Sequence, residues 1–145
     1  MCYSVYLSTT SSEDLSKRSS DWVRFEKLEK TPDASYADRL AFPNRWYVGS
    51  KSGCSCTFRH LFRLSIELGF SEPVDWYPEG SDEIEATKEL YAVLAHFTSG
   101  GFEVDLIDDW GSTPPEALAT VEVSLSDVSA GAFRLFEDHR FIFKK

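Results

Sequence analysis

An α+β fold on a largely antiparallel sheet is what this sequence predicts, and three observations carry the prediction. Several short segments alternate apolar and polar residues with period two, the mark of strands with one wet face. One segment, about 82–98, instead carries apolar residues at helical spacing. The chain has 145 residues, 42% of them hydrophobic and 27% charged, the size and composition of a single domain with its own core. The prediction is one α+β domain over 1–145, with about seven strands, the long helix packed on the sheet and two short helices.

The elements follow in order. Residues 2–9 alternate and are rich in Tyr, Val and Leu, giving a first strand. Ser11-Ser12-Glu13-Asp14 offers N-cap chemistry for a short helix or turn to about Ser20. Val23 and Phe25 alternate with Arg24 and Glu26 in a second strand. Residues 31–44, with two prolines and many small or charged residues, form a long connecting loop. Arg45 to Val48 restart β character and enter the turn Gly49-Ser50-Lys51-Ser52-Gly53. Phe62, Leu64, Ile66 and Leu68 alternate with Arg63, Ser65 and Glu67, so the two runs read as a hairpin.

After a loop holding Asp75-Trp76-Tyr77, Ser81 or Asp82 can cap the long helix, whose stripe is Ala86, Leu90, Val93, Leu94 and Phe97. Gly100-Gly101 ends it. Phe102, Val104 and Leu106 mark a strand, Asp108-Asp109 an exposed turn after it, and Val121, Val123 and Leu125 another strand. Ser126 or Asp127 can cap a second short helix to about Phe136. Phe141 and Phe143 face inward from a last strand that closes the sheet.

Charge is unevenly spread. The net value is −9, yet residues 1–63 carry a balance of +3 and residues 64–130 one of −14. Clustered Lys and Arg are what a phosphate backbone needs, so nucleic acid is an unfavoured partner. A protein partner, or self-association of the basic region with the acidic one, suits the pattern better. The first residues lack a basic region followed by a long apolar run, so no secretory signal is read there, and no segment has the length to span a membrane. Three cysteines, an odd number, make no disulfide framework, and a reducing cytoplasm is the expected compartment.

Three functional readings follow. The leading one is a non-catalytic intracellular binding or interaction domain, because no complete catalytic motif is present; no cofactor is expected for it. Arg45, Trp46, Arg59 and Arg63 are its candidate ligand-binding residues, brought together if the hairpin forms, and suited to a carboxylate, a phosphate or an acidic peptide. The second reading is a metal or thiol site on Cys54 and Cys56, with His60 or Cys2 as a further ligand and zinc as the expected ion. On a strand, Cys54 and Cys56 share a face with Cα atoms about 6.6 Å apart, while His60 lies roughly 13 Å from Cys56. A helical turn after Cys56 brings that pair together instead.

The third reading starts from Met1-Cys2. Removal of Met1 leaves a thiol beside a free α-amine, which can act as its base. This start resembles that of N-terminal-nucleophile amidohydrolases. The resemblance covers two residues and implies a small amidohydrolase with Cys2 as nucleophile; that family's larger, double-layered sheets exceed what this chain can build. Gly49 to Gly53 matches neither a phosphate loop nor a nucleophile elbow, since no Gly-Lys-Ser order exists and Lys51 occupies the centre.

Overall fold

A computed structural model describes residues 2–28, 39–110 and 118–145. The fold is α+β. Eight strands are present among these residues: β1 (Ser4–Thr9), β2 (Val23–Lys27), β3 (Asn44–Ser50), β4 (His60–Leu61), β5 (Val104–Asp109), β6 (Ala119–Ser124), β7 (Leu135–Phe136) and β8 (His139–Lys144). Six of them form one mixed sheet in the order β2-β3-β1-β5-β8-β6, and β4 pairs with β7 in a small second sheet. The helix α1 spans Ser81–Ser99.

Period-two alternation decides the layers. Val5 pairs with Val48, Leu7 with Trp46 and with Leu106, Leu106 with Phe141, and Val104 with Phe143. The side chains of these residues belong to one core, closed from above by Ala86, Leu90, Leu94 and Phe97 of α1. Phe58, Leu61, Phe133 and Leu135 fill the same core from the chain around the small sheet. On the opposite sheet face Asp105 is fully buried, accepting from Ser8 Oγ, Ala41 N and the guanidinium of Arg140. No helix among the described residues is long and apolar enough to cross a membrane.

Several expectations are corrected. The hairpin that pairs 45–48 with 62–68 does not form. Arg63–Leu68 is a 3-10 helix, and Leu64 is 93% exposed. Among the described residues no strand pairs with this segment. The chain opposite β4 ends its ladder at Phe136 and turns at Asp138, where φ is 56°, so residues beyond Leu61 take local bonds such as Ser65 N–H to Phe62 O. The second short helix is likewise a three-residue 3-10 turn, Leu125–Asp127, because Phe133, Leu135 and Phe136 are drawn into the core.

The last strand does not close the sheet. It lies between β5 and β6, and β6 runs parallel to it. Seating β8 inside lets Phe141 and Phe143 meet both Leu106 and Val104 on one side and Val121 and Val123 on the other. Asp108 and Asp109 are no exposed turn but the buried end of β5. Helix α1 starts one residue earlier than its capping signal, with Gly80 at the N-cap, and ends at Gly100 with Gly101 at φ 83°. The expected loop over 31–44 lies largely outside the described residues.

Candidate metal centre

Strand β3 ends in a tight return. Gly53 N–H donates to Ser50 O and Ser50 N–H to Cys54 O, both at 2.8 Å, with Gly53 at φ 90°. At Gly49 a Cβ would sit 2.8 Å from the Gly53 carbonyl oxygen, so the return can fold this closely only over glycine. The chain then meets the end of β1. Ser55 Oγ accepts from Val5 N at 2.9 Å and donates to Val48 O at 2.6 Å, which stitches the 54–56 loop to both strands.

That stitching brings all three cysteines together. One sulfur each from Cys2, Cys54 and Cys56 lie within 4.8 Å of one another. Cys2 is exposed and the other two half-buried, and no disulfide joins them. The Ser52 hydroxyl lies 3.3 Å from Cys54 Sγ. Donated to the thiolate, it is the main cause that brings the Cys54 pKa down to about 7, helped by the Cys56 backbone and the neighbouring thiols. Burial pushes the Cys56 thiol up to about 12, and its contact with Cys54 adds to the rise. The cluster thus holds one thiol that ionises readily beside another that is held protonated. An open cavity of about 260 Å³ reaches Cys56, with Tyr3, Phe62, Tyr77 and Glu83 among its walls.

His60 is not brought into this cluster. Its Nδ1 lies 2.7 Å from Asp108 Oδ2 and its Nε2 2.6 Å from Ser55 O, so both nitrogens are taken. The ring stacks on Tyr3 at 3.7 Å and 3°. Complete burial raises the Asp108 pKa, against the pull of His60. Asp108 Oδ1 and Tyr3 Oη are both buried with no hydrogen-bond partner among the described residues. Burial, with the Asp108 carboxylate second, raises the Tyr3 phenol, which therefore stays protonated.

The four residues proposed for ligand binding do not share a surface. Trp46 is in the core, 2% exposed. Arg45, its neighbour on β3, points the opposite way and donates to Leu40 O and Phe42 O. Arg59 is 1% exposed and shares Glu79 with the equally buried Arg134. The carboxylate accepts from both guanidiniums at 2.7–3.3 Å. Burial raises the Glu79 pKa, but the two arginines outweigh it and hold the carboxyl at about 2. Arg63 reaches Asp138 at 3.4 Å. Met1, whose removal the Cys2 nucleophile requires, lies outside the described residues.

The sequence reading overlooked Tyr3, Glu79 and the role of Asp108. Only Asp108 carried a signal, as a carboxylate on the inward phase of a strand: it shares the face of Val104 and Leu106. Neither a protein-family model, nor a curated protein, nor a solved structure matches the chain.

Proposed function

We propose that the domain binds a thiophilic metal ion through Cys2, Cys54 and Cys56. The observation that carries this is the mutual approach of the three sulfurs to within 4.8 Å. Metal–thiolate bonds of about 2.3 Å in a tetrahedral site put sulfurs about 3.8 Å apart, so a contraction of about 1 Å at most closes the cluster on an ion. Thiolate-only donors favour copper(I) and zinc(II) over hard cations. Copper(I) is satisfied by three thiolates; zinc takes a fourth donor, for which the exposed side of Cys2 and the cavity at Cys56 leave room. Loading must release the protons that the thiols hold, so affinity rises with pH.

The test is a competition titration of the metal-free, reduced protein with copper(I) and zinc(II) against a chelator of known affinity. One ion per chain is expected, weakened by serine at any of the three positions. Unchanged binding by the triple serine variant sinks the reading.

A second reading, a dithiol redox pair, is favoured by the contrast between the readily ionised Cys54 and the protonated Cys56 within sulfur reach. The Cys54 thiolate would attack a small disulfide, releasing one thiolate. Cys56 would then attack the Cys54 sulfur, lose its proton and release the second small thiol. Incubation with oxidised glutathione and mass analysis of cysteine-to-serine variants decides it; loss of two protons in the wild type and Cys2→Ser, but not in Cys54→Ser or Cys56→Ser, supports it, and no mass change ends it.

A further inference from the structure

The three sulfurs come from two separate stretches of chain, and one imidazole touches both. His60 Nε2–H donates to the carbonyl of Ser55, the residue between Cys54 and Cys56, at 2.6 Å. The His60 ring lies flat on Tyr3, the residue after Cys2, at 3.7 Å. A third tie, from Nδ1 to Asp108 at 2.7 Å, anchors the ring to the inner face of β5. The phenol of Tyr77 adds a fourth, donating to His60 O at 3.3 Å. The ring is 8% exposed as a residue and has no freedom left: both nitrogens, one face and its own carbonyl are engaged.

We infer that His60, braced by Asp108, is a positioning residue for the three-thiol site, setting the distance between Cys2 and the Cys54–Cys56 loop. This rests on the metal reading above. The logic is that of the outer partners that orient metal ligands, whose loss commonly weakens binding about 10–100-fold. Here the ties act on the backbone that carries the ligands. Ser55 supplies another link between the stretches, through Val5 N and Val48 O, but it fixes the loop against β1 and β3 and does not touch Tyr3. Tyr3 also meets the Trp110 ring and the Cys56 side chain, but His60 is the group that ties both Tyr3 and the Ser55 carbonyl to β5.

The chemistry of the ties separates positioning from mere packing. The Ser55 carbonyl can only accept, so Nε2 must carry a proton. Nδ1 is then served equally by a carboxyl group or by an amide N–H. Asp108→Asn therefore keeps the clamp, and Asp108→Ala removes its anchor. In the same way Tyr3→Phe keeps the stack, because the Tyr3 hydroxyl has no partner among the described residues, whereas Tyr3→Leu removes it.

The experiment is a cadmium(II) titration followed by sulfur-to-metal charge-transfer absorption, whose intensity counts bound thiolates. Wild type, Asp108→Asn and Tyr3→Phe are expected to bind alike with three-sulfur intensity. His60→Ala, Asp108→Ala and Tyr3→Leu are expected to bind about 10–100-fold more weakly with two-sulfur intensity, while circular dichroism stays native. Full intensity and wild-type affinity in folded His60→Ala overturns the inference. If His60→Ala does not fold, the contrast between Tyr3→Phe and Tyr3→Leu decides, and equality between them overturns it.

Failure of the wild type to bind cadmium ends the metal reading instead. The positioning claim is then judged with phenylarsine oxide, which bridges two neighbouring thiols. Capture by wild type and loss in Tyr3→Leu uphold it; equal capture rejects it.

Discussion

Replacing Glu79 by glutamine leaves Arg59 and Arg134 facing each other with no carboxylate between them. Both guanidiniums are buried, at 1% and 0% side-chain exposure, and arginine does not shed its proton. Their remaining partners are the carbonyls of Gly69, Ser71, Gly131 and Phe133 and the Ser71 hydroxyl, none of them charged. Two estimates of the cost agree. Removing one member of a buried ion pair typically costs about 3–5 kcal/mol. The carboxyl is held at about 2 against an ordinary 4.5, and at 1.36 kcal/mol per pH unit that interval is worth about 3 kcal/mol. Because the folded value is depressed, this stability is complete above the ordinary carboxyl value and is lost as pH falls toward 2. Urea denaturation of wild type and Glu79→Gln between pH 7 and 2.5 measures it. The variant should be about 3 kcal/mol less stable at pH 7, and the gap should shrink below pH 4.5. A cost under about 1 kcal/mol at pH 7, or a gap independent of pH, would show that the triad does not behave as a buried ionic unit. Arg59 also fixes the strand that carries His60, since its N–H donates to Thr87 Oγ1 and its carbonyl accepts from Leu135 N, so the variant should also weaken thiol-site binding.

Other outcomes are expected from the same geometry. In the metal-free reduced protein, iodoacetamide should label Cys54 before Cys56, with a rate midpoint near the value of about 7. Ser52→Ala should move that midpoint upward, and a wild-type midpoint near 9 would contradict the assignment. Gly49→Ala should lower stability by about 1–3 kcal/mol, as overpacking does, because its Cβ would press on the Gly53 carbonyl at 2.8 Å; an unchanged melting temperature counts against that crowding. Leu90→Ala, at a fully buried site, should cost about 2–5 kcal/mol. Leu64→Ala, at a 93% exposed site, should stay within about 0.5 kcal/mol. Equal effects of the two on chemical denaturation would undo the burial argument.

Local periodicity made much of the fold legible. The stripe at Ala86, Leu90, Leu94 and Phe97 does line the core face of α1, and Val104 and Leu106 do sit on the inner phase of β5. Failures came where a partner decides the outcome. The alternation at Phe62 to Leu68 is as regular as in any strand, but among the described residues no strand pairs with it. Phe141 and Phe143 look equally suited to an edge or a centre, and only the register with β5 and β6 places them inside. For the site, Cys54 and Cys56 could be named from spacing, and Cys2 as an optional third. What brings the stretch after Cys2 to them is a set of contacts, the Ser55 hydrogen bonds to residues 50 and 7 positions away and the His60 ties to Ser55 and Tyr3, which spacing does not reveal. His60 stands near Cys56 in sequence, yet its partner, Asp108, is 48 residues on.

The place of β1 in the sheet has a consequence for when such a site can exist. The strand is third in the order, flanked by β3 and β5, and Ser4 pairs with Asp109. Cys2 can therefore take its station only after distant parts of the chain have docked on either side. A one-residue slip of β1 against β3 would exchange its inner and outer faces, lift Tyr3 from His60 and move Val5 N away from Ser55. An ion gripped by all three sulfurs would act as a register pin, favouring the one alignment in which the cysteines converge. At a free concentration one hundred times its Kd it would add about 2.7 kcal/mol to that alignment alone.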